Sequence, residues 1–221
     1  MPQLARGLSQ MVLLLSALVL GGQASASETV KFPPLKDFFH SLKLEISFDR
    51  TLANVNHGAK MLEPPINYGD VILITGYVYP KGTWIANGCP ELNCGVNPSG
   101  GAEYPNDQIG TIICNGNFLN DPFVGFQNQD YGEEVGLFNL NISFGDGENM
   151  LELRGKTLLG IYGSNPAPFS VLGGTGIFSK AAGDALEVMI IPNASGAFNF
   201  IVDLSGLRNV NPWLLKHLID G

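Results

Sequence analysis

Basic side chains and histidine are scarce in this chain: its 221 residues hold 12 Lys+Arg and 3 His, and the formal net charge is −8. That scarcity excludes a nucleic-acid partner, because phosphate binding draws most of its affinity from Lys and Arg. The spacing of His40, His57 and His217 gives a Ser-His-Asp arrangement no support. Cysteine is as rare, three in all, at positions 89, 94 and 114. No histidine stands at metal-ligand spacing from them, so a zinc site is not expected and the metal assignment is none. The Gly-Lys-Ser/Thr of a P-loop is absent as well. So is any long apolar run: the longest, residues 11–20, is stopped by Gly21-Gly22-Gln23, well short of the roughly 20 residues that a membrane span needs. The chain has no repeat, no low-complexity segment and no linker to a second domain.

What the N-terminus does have is a tripartite export signal. Arg6 supplies the positive region, residues 11–20 the apolar one, and Ala24-Ser25-Ala26 an A-x-A cleavage site. The expectation is a signal peptide over residues 1–26 and a secreted product, extracellular or periplasmic, with no membrane anchor. Its 195 residues would suit one domain with a sizeable core and carry a net charge of −9. Export makes a disulfide possible. Cys89 and Cys94 can close a small loop and leave Cys114 free; Cys94 with Cys114 is the rival pairing.

Period-two alternation dominates the rest. Leu42, Leu44, Ile46 and Phe48 alternate with Lys43, Glu45, Ser47 and Asp49, which reads as a strand. Strands also follow at 70–79, 108–118, 133–144, 149–161, 184–191 and 197–204, with a hairpin turn at 145–148. A Gly-, Pro- and Asn-rich loop runs from 81 to 107. Only 211–219 reads as an amphipathic helix. Seven or eight strands separated by turn signals indicate an all-β antiparallel sandwich or barrel. Several strands are apolar on both faces: in 70–79, Leu73, Tyr77 and Tyr79 oppose Ile72, Ile74 and Val78. A barrel with a wet exterior would alternate cleanly, so a partner subunit or the chain's own loops must cover the outside.

The segment "VLGGTGIFSKAAGDALEV", residues 171–188, packs three glycines into four positions. A dinucleotide loop needs G-x-G-x-x-G between a strand and a helix, and here a strand follows. Gly173, Gly174 and Gly176 therefore serve as turn residues that allow positive φ and close backbone approach.

"GGTGIFSKAAGDALEV" resembles the G-G-T-G-x-F-x-x-A-x-G signature of dirigent proteins and the wider allene oxide cyclase barrel-like superfamily. The segments "YGDVILITGYVYPKGTW" (68–84) and "QIGTIICNGNF" (108–118) are similar to bacterial and fungal members. The resemblance covers residues 42–204, leaving 27–41 as an N-terminal extension and 205–221 as a C-terminal tail. It implies an eight-stranded antiparallel β-barrel, a homodimer or homotrimer, with a mostly apolar cavity and no cofactor. The function it implies is to bind a small apolar ligand or reactive intermediate and guide its cyclisation or stereoselective coupling, with a separate oxidase as a further partner. Such guidance works chiefly by positioning. The alternative is a non-catalytic barrel, exported for ligand binding or for a structural or interaction role. The chain departs from the family in its chemistry: Ala167-Pro168-Phe169-Ser170 and Ser179-Lys180 flank the turn where plant dirigents place an acid and an arginine. The glutamate and cysteine associated with the cyclase pocket are not matched to positions in this chain.

Among candidate site residues, Asp49 falls roughly where dirigents have a pocket acid and is the catalytic candidate. Leu73, Tyr77, Tyr79, Leu137 and Met189 are the candidates to line a ligand cavity. Glu187 and Asp203 each interrupt an apolar strand and point either into a cavity or out to water. Glu152, Arg154 and Lys156 share a strand face expected to be solvated.

Overall fold

The alternating segment that opens at Leu42 forms β1 (Lys43–Val55), the first of eight strands. It is followed by β2 (Val71–Pro80), β3 (Gly110–Phe118), β4 (Glu134–Phe144) and β5 (Asn149–Leu159). Then come β6 (Ala167–Gly174), β7 (Ala182–Pro192) and β8 (Phe198–Arg208). These elements belong to a computed structural model that describes residues 42–55, 69–118, 134–159 and 166–220. The expected export signal and N-terminal extension lie outside the described residues. Every strand pairs antiparallel with its neighbour in sequence, and β8 pairs with β1, so the sheet closes into an eight-stranded barrel. Among the described residues two helices are added, α1 (Thr83–Ala86) in the long loop and α2 (Pro212–Asp220) after β8.

β6 is the strand that alternation did not reveal. Pro168, Gly173 and Gly174 make it read as a loop, yet Ala167, Phe169 and Val171 are buried while Pro168, Ser170 and Leu172 are exposed. Closure forces the pairing: without β6, β5 and β7 would be two open edges. The hairpin at 145–148 joins β4 to β5 as expected, with Phe144 opposite Asn149.

One side chain in two faces inward. Leu44, Ile46 and Phe48 of β1 meet Ile72, Ile74 and Val78 of β2, Ile112 of β3, and Phe138, Leu140 and Ile142 of β4 in one contiguous core. Aromatic rings fill much of it, with Phe48 edge-on to Phe200 at 5.3 Å and Phe118 edge-on to Phe138 at 5.8 Å. An eight-stranded barrel is just wide enough for side chains to fill it or for one small ligand to enter.

One end of the barrel is stoppered. After β6 the chain makes a single 3-10 turn (Gly176–Phe178) that drives Phe178, fully buried, onto Phe144 with ring centroids 5.3 Å apart. Val210 and Leu215, the latter from α2, join the same core.

The outer wall is covered locally by the chain itself. Segment 81–107 lies over β1 and β2, burying Trp84 against Cys89 and Cys94 in a second, smaller cluster. Its ties to the barrel are polar. The Glu45 carboxylate accepts the N–H groups of Gly82 (2.6 Å) and Trp84 (2.9 Å), and Ser47 Oγ donates to the Cys94 carbonyl (3.0 Å). Asn199 donates to the carbonyls of Leu92 and Cys94, each at 2.7 Å. A disulfide joins Cys89 to Cys94, and Cys114 is free and buried. The rival pairing with Cys114 is ruled out by strand parity: Cys114 faces the barrel interior, whereas Cys94 lies outside the wall.

Candidate functional site

Among the described residues buried in the barrel interior, Glu187 and Cys114 carry ionisable groups. On β7 the inward series is Ala185, Glu187 and Met189, all buried, with Glu187 only 4% exposed. Its cross-strand neighbours are Ala167 and Val202, both apolar core residues. On β3 the inward series is Ile112, Cys114, Gly116 and Phe118, and Cys114 stands across from Ile74 and Leu140. Since β3 and β7 are four strands apart in a ring of eight, carboxylate and thiol project from opposite walls. Burial, and after it the field of Glu187, pushes the Cys114 thiol well above the usual cysteine range. The thiol is thereby held protonated, a weak donor and a soft packing group, not a thiolate nucleophile.

The register of β7 and β8 settles which interrupting acid goes where. Glu187 points in. Asp203 points out and pairs with Lys43 on β1 at 2.8 Å, which together with the Ser205 N–H holds its carboxyl below the usual range against the opposing effect of burial. Glu152, Arg154 and Lys156 are on the outer face of β5, as expected of a solvated face.

Asp49 is buried but sits outside the barrel, beneath the covering loop. Its Oδ1 accepts from the Thr51 N–H (2.9 Å) and Thr51 Oγ (2.7 Å), and its Oδ2 from the Gly101 N–H (2.8 Å) and Tyr77 Oη (3.2 Å). Burial alone would raise its pKa; those donors outweigh it and hold the carboxyl below the usual aspartate range. An ionised carboxylate with four protein donors clamps a loop, and the placement corrects the expectation that Asp49 addresses a central cavity.

The expected cavity-lining set divides in the same way. Met189 is in the interior core. Leu73 is on the outer face and 45% exposed, and Leu137 shares the outer face of β4, alternating with the buried Phe138. Tyr77 and Tyr79 also face outward: Tyr79 is fully buried under the loop and donates to the Gly95 carbonyl at 2.6 Å. The physical reason is parity. When both faces of β2 are apolar, alternation separates two faces without saying which is inside. The inward set proves to be Ile72, Ile74 and Val78.

The glycine cluster is a turn, and its chemistry is mechanical. Gly173 (φ 121°) and Gly176 (φ 56°) adopt backbone conformations that side chains disfavour. A Cβ on Gly174 would lie 1.8 Å from the Met150 carbonyl oxygen. Thr175 ties the turn to the β4–β5 hairpin, its Oγ1 donating to the Glu148 carbonyl (2.8 Å) and accepting the Met150 N–H (3.1 Å). The motif thus delivers Phe178 as the stopper.

Fold and site together define a closed, antiparallel eight-stranded barrel whose buried interior, among the described residues, is apolar and aromatic and includes the Glu187 carboxyl and the Cys114 thiol. No family model and no curated protein matches the chain. Among solved structures it is similar to a pyocyanin demethylase (14% identity, 76% of this chain and 98% of that one, TM-score 0.42). It is also similar to a pterocarpan synthase dirigent protein (13% identity, 73% and 82%, TM-score 0.45). A third is the Diels-Alderase AbmU from Streptomyces koyangensis (14% identity, 82% and 75%, TM-score 0.36). At 13–14% identity no residue role passes from these proteins to this chain.

Proposed function

We propose that this chain is an exported barrel that takes up a small apolar molecule and guides its cyclisation or stereoselective coupling, held between Glu187 and Cys114, without a cofactor. The observation that carries the reading is Glu187 itself, a carboxyl placed at the middle of an inward-facing strand among apolar neighbours. Burying such a group costs several kcal/mol, and a filler residue would be apolar; acids kept in apolar pockets mark working sites. Glu187 is the group able to give or take a proton at a bound molecule. The opposite wall, with the protonated Cys114, fixes the pose, and Met189, two residues along β7, supplies adaptable apolar contact. Cys114 of β3 and Glu187 of β7 both lie within family-like segments, 108–118 and 173–188, and bring a cysteine and a glutamate to the interior.

Export is supported by the N-terminal signal pattern and by the disulfide; among the described residues no helix is long and apolar enough to cross a membrane. The dense ring packing of Phe48, Phe198 and Phe200 favours the rival reading, a non-catalytic barrel whose interior is filled by side chains. Native mass spectrometry of the exported protein separates the two. A small molecule retained by the wild type and lost in Glu187→Gln is the expected result. A barrel that retains nothing, and takes up no neutral fluorescent probe such as N-phenyl-1-naphthylamine, refutes ligand binding.

A further inference from the structure

The dipeptide Asn-Gly occurs twice in the chain, at Asn87-Gly88 and at Asn115-Gly116, and the fold holds the two pairs in opposite ways. In such a pair the glycine nitrogen can attack the asparagine side-chain carbonyl carbon, because no Cβ on the glycine obstructs ring closure. The attack requires both residues to leave any regular hydrogen-bonded frame, so exposure and local opening set its rate.

Asn115 and Gly116 lie in β3, paired with β2 on one side and β4 on the other. Gly116 is buried, and Asn115 Oδ1 accepts from Asn139 Nδ2 at 3.0 Å. Asn87 and Gly88 are both exposed, in the turn that ends α1. Gly88 has a φ of 82°, and its N–H donates to the Ile85 carbonyl at 3.1 Å, a turn contact that can open without disturbing the barrel. Asn87 is also a latch. Its Nδ2 donates to the Thr83 carbonyl and to Asp107 Oδ2, each at 2.9 Å, and so joins α1 to the end of the covering loop just before β3.

We infer that Asn87 is a site of spontaneous, irreversible modification, and that its conversion to aspartate or isoaspartate releases this latch. The Gly88 nitrogen gives up its proton and bonds to Asn87 Cγ; the Cγ–Nδ2 bond breaks, and Nδ2 departs with that proton as ammonia. One water then opens the succinimide at Cγ, giving aspartate, or at the backbone carbonyl carbon of residue 87, giving isoaspartate. No oxidant or reductant takes part. An amide that donates is thereby replaced by a carboxylate that only accepts, facing the Thr83 carbonyl and the Asp107 carboxyl. Acceptor now meets acceptor, and α1 separates from Asp107.

The test is to age the full exported chain at mildly alkaline pH, which favours attack by the amide nitrogen, and to follow both asparagines by peptide mass spectrometry beside a urea-unfolded sample. In the folded protein Asn87 should convert at least about tenfold faster than Asn115, whose reaction waits on the opening of paired strands. In urea the two should convert at similar rates. Asn87→Gln, whose longer side chain disfavours ring closure, should suppress the acidic variant seen on ion exchange. Asn87→Asp should reproduce release of the latch, with segment 81–107 nicked by protease several-fold faster than in the wild type. Equal conversion of Asn87 and Asn115 in the folded protein, or an unchanged Asn87 while the unfolded sample reacts, overturns the site. Protease resistance of Asn87→Asp equal to that of the wild type overturns the latch.

Discussion

Replacing Asp49 by Asn leaves the shape of the side chain almost unchanged and removes its charge, which isolates the clamp from the packing. Four donors converge on this carboxylate, from Thr51 twice, Gly101 and Tyr77. An amide accepts at one atom only and turns an N–H₂ group toward donors, so two of the four contacts become donor against donor. Hydrogen bonds to a charged group contribute about 1.5–3 kcal/mol, and a buried donor left unsatisfied costs about 1–3. A loss of roughly 2–3 kcal/mol follows, or about 4–12 °C in the melting temperature of a domain this size. The sign of the pH dependence is set by the lowered pKa of Asp49. A carboxyl whose folded pKa lies below its unfolded value stabilises the fold above that unfolded value and loses the contribution as pH falls through the folded pKa. Thermal and urea unfolding of the two proteins should therefore differ fully at pH 7 and converge as pH falls below the ordinary aspartate range and through the lowered folded pKa. Because the Gly101 tie anchors the far end of the covering loop, the variant should also be nicked faster by protease near residues 97–103. Equal stability at pH 7, or a difference that persists undiminished in acid, would refute the clamp.

Reduction of Cys89–Cys94, or its replacement by two serines, should cost roughly 2 kcal/mol, the modest figure for so short a closed loop; a urea midpoint unchanged by reductant speaks against it. Phe178→Ala removes the fully buried ring stacked on Phe144 and should cost about 3–5 kcal/mol while leaving the covering loop protected from protease; a near-neutral change would mean that the stopper is not part of the core. The barrel should form a homodimer or homotrimer, the trimer favoured by the family resemblance, through the outer face of β2 and β3 where Val71, Leu73 and Ile113 are 38%, 45% and 44% exposed. Light scattering should show Ile113→Lys dissociating it, and a monomeric wild type at micromolar concentration would end that expectation.

Alternation made most of the barrel legible. Leu44, Ile46 and Phe48 announced β1, the 145–148 turn announced a hairpin, and the absence of a helix after Gly176 identified the glycine cluster as a corner. β6 was hidden because Pro168 and two glycines suppress strand character locally, while closure of the ring, a property of the whole sheet, restores it. Inside and outside were illegible for β2, since its two faces bury against different things: Ile74 against the barrel core, Tyr79 against a loop that is distant in spacing and irregular in pattern. Glu187 was visible as an interruption of an apolar strand, but its direction depends on the register with β8. Cys114 drew notice as a disulfide partner; its position opposite Glu187, 73 residues further along the chain (187 − 114), arises from strand pairing that local pattern does not report.

The covering loop makes β1 a party wall. Leu44, Ile46 and Phe48 belong to the room inside the barrel, and Glu45, Ser47 and Asp49 to the room beneath the loop, so one strand borders two dry compartments. Neighbouring residues on it answer to different neighbours: a change at Phe48 alters what the interior can hold, and a change at Ser47 alters only how the loop is seated. The outer compartment can therefore be rebuilt, lengthened or exchanged through segment 81–107 without touching the interior lining. Its backbone amides, shielded on both sides, should be among the last in the protein to exchange with solvent.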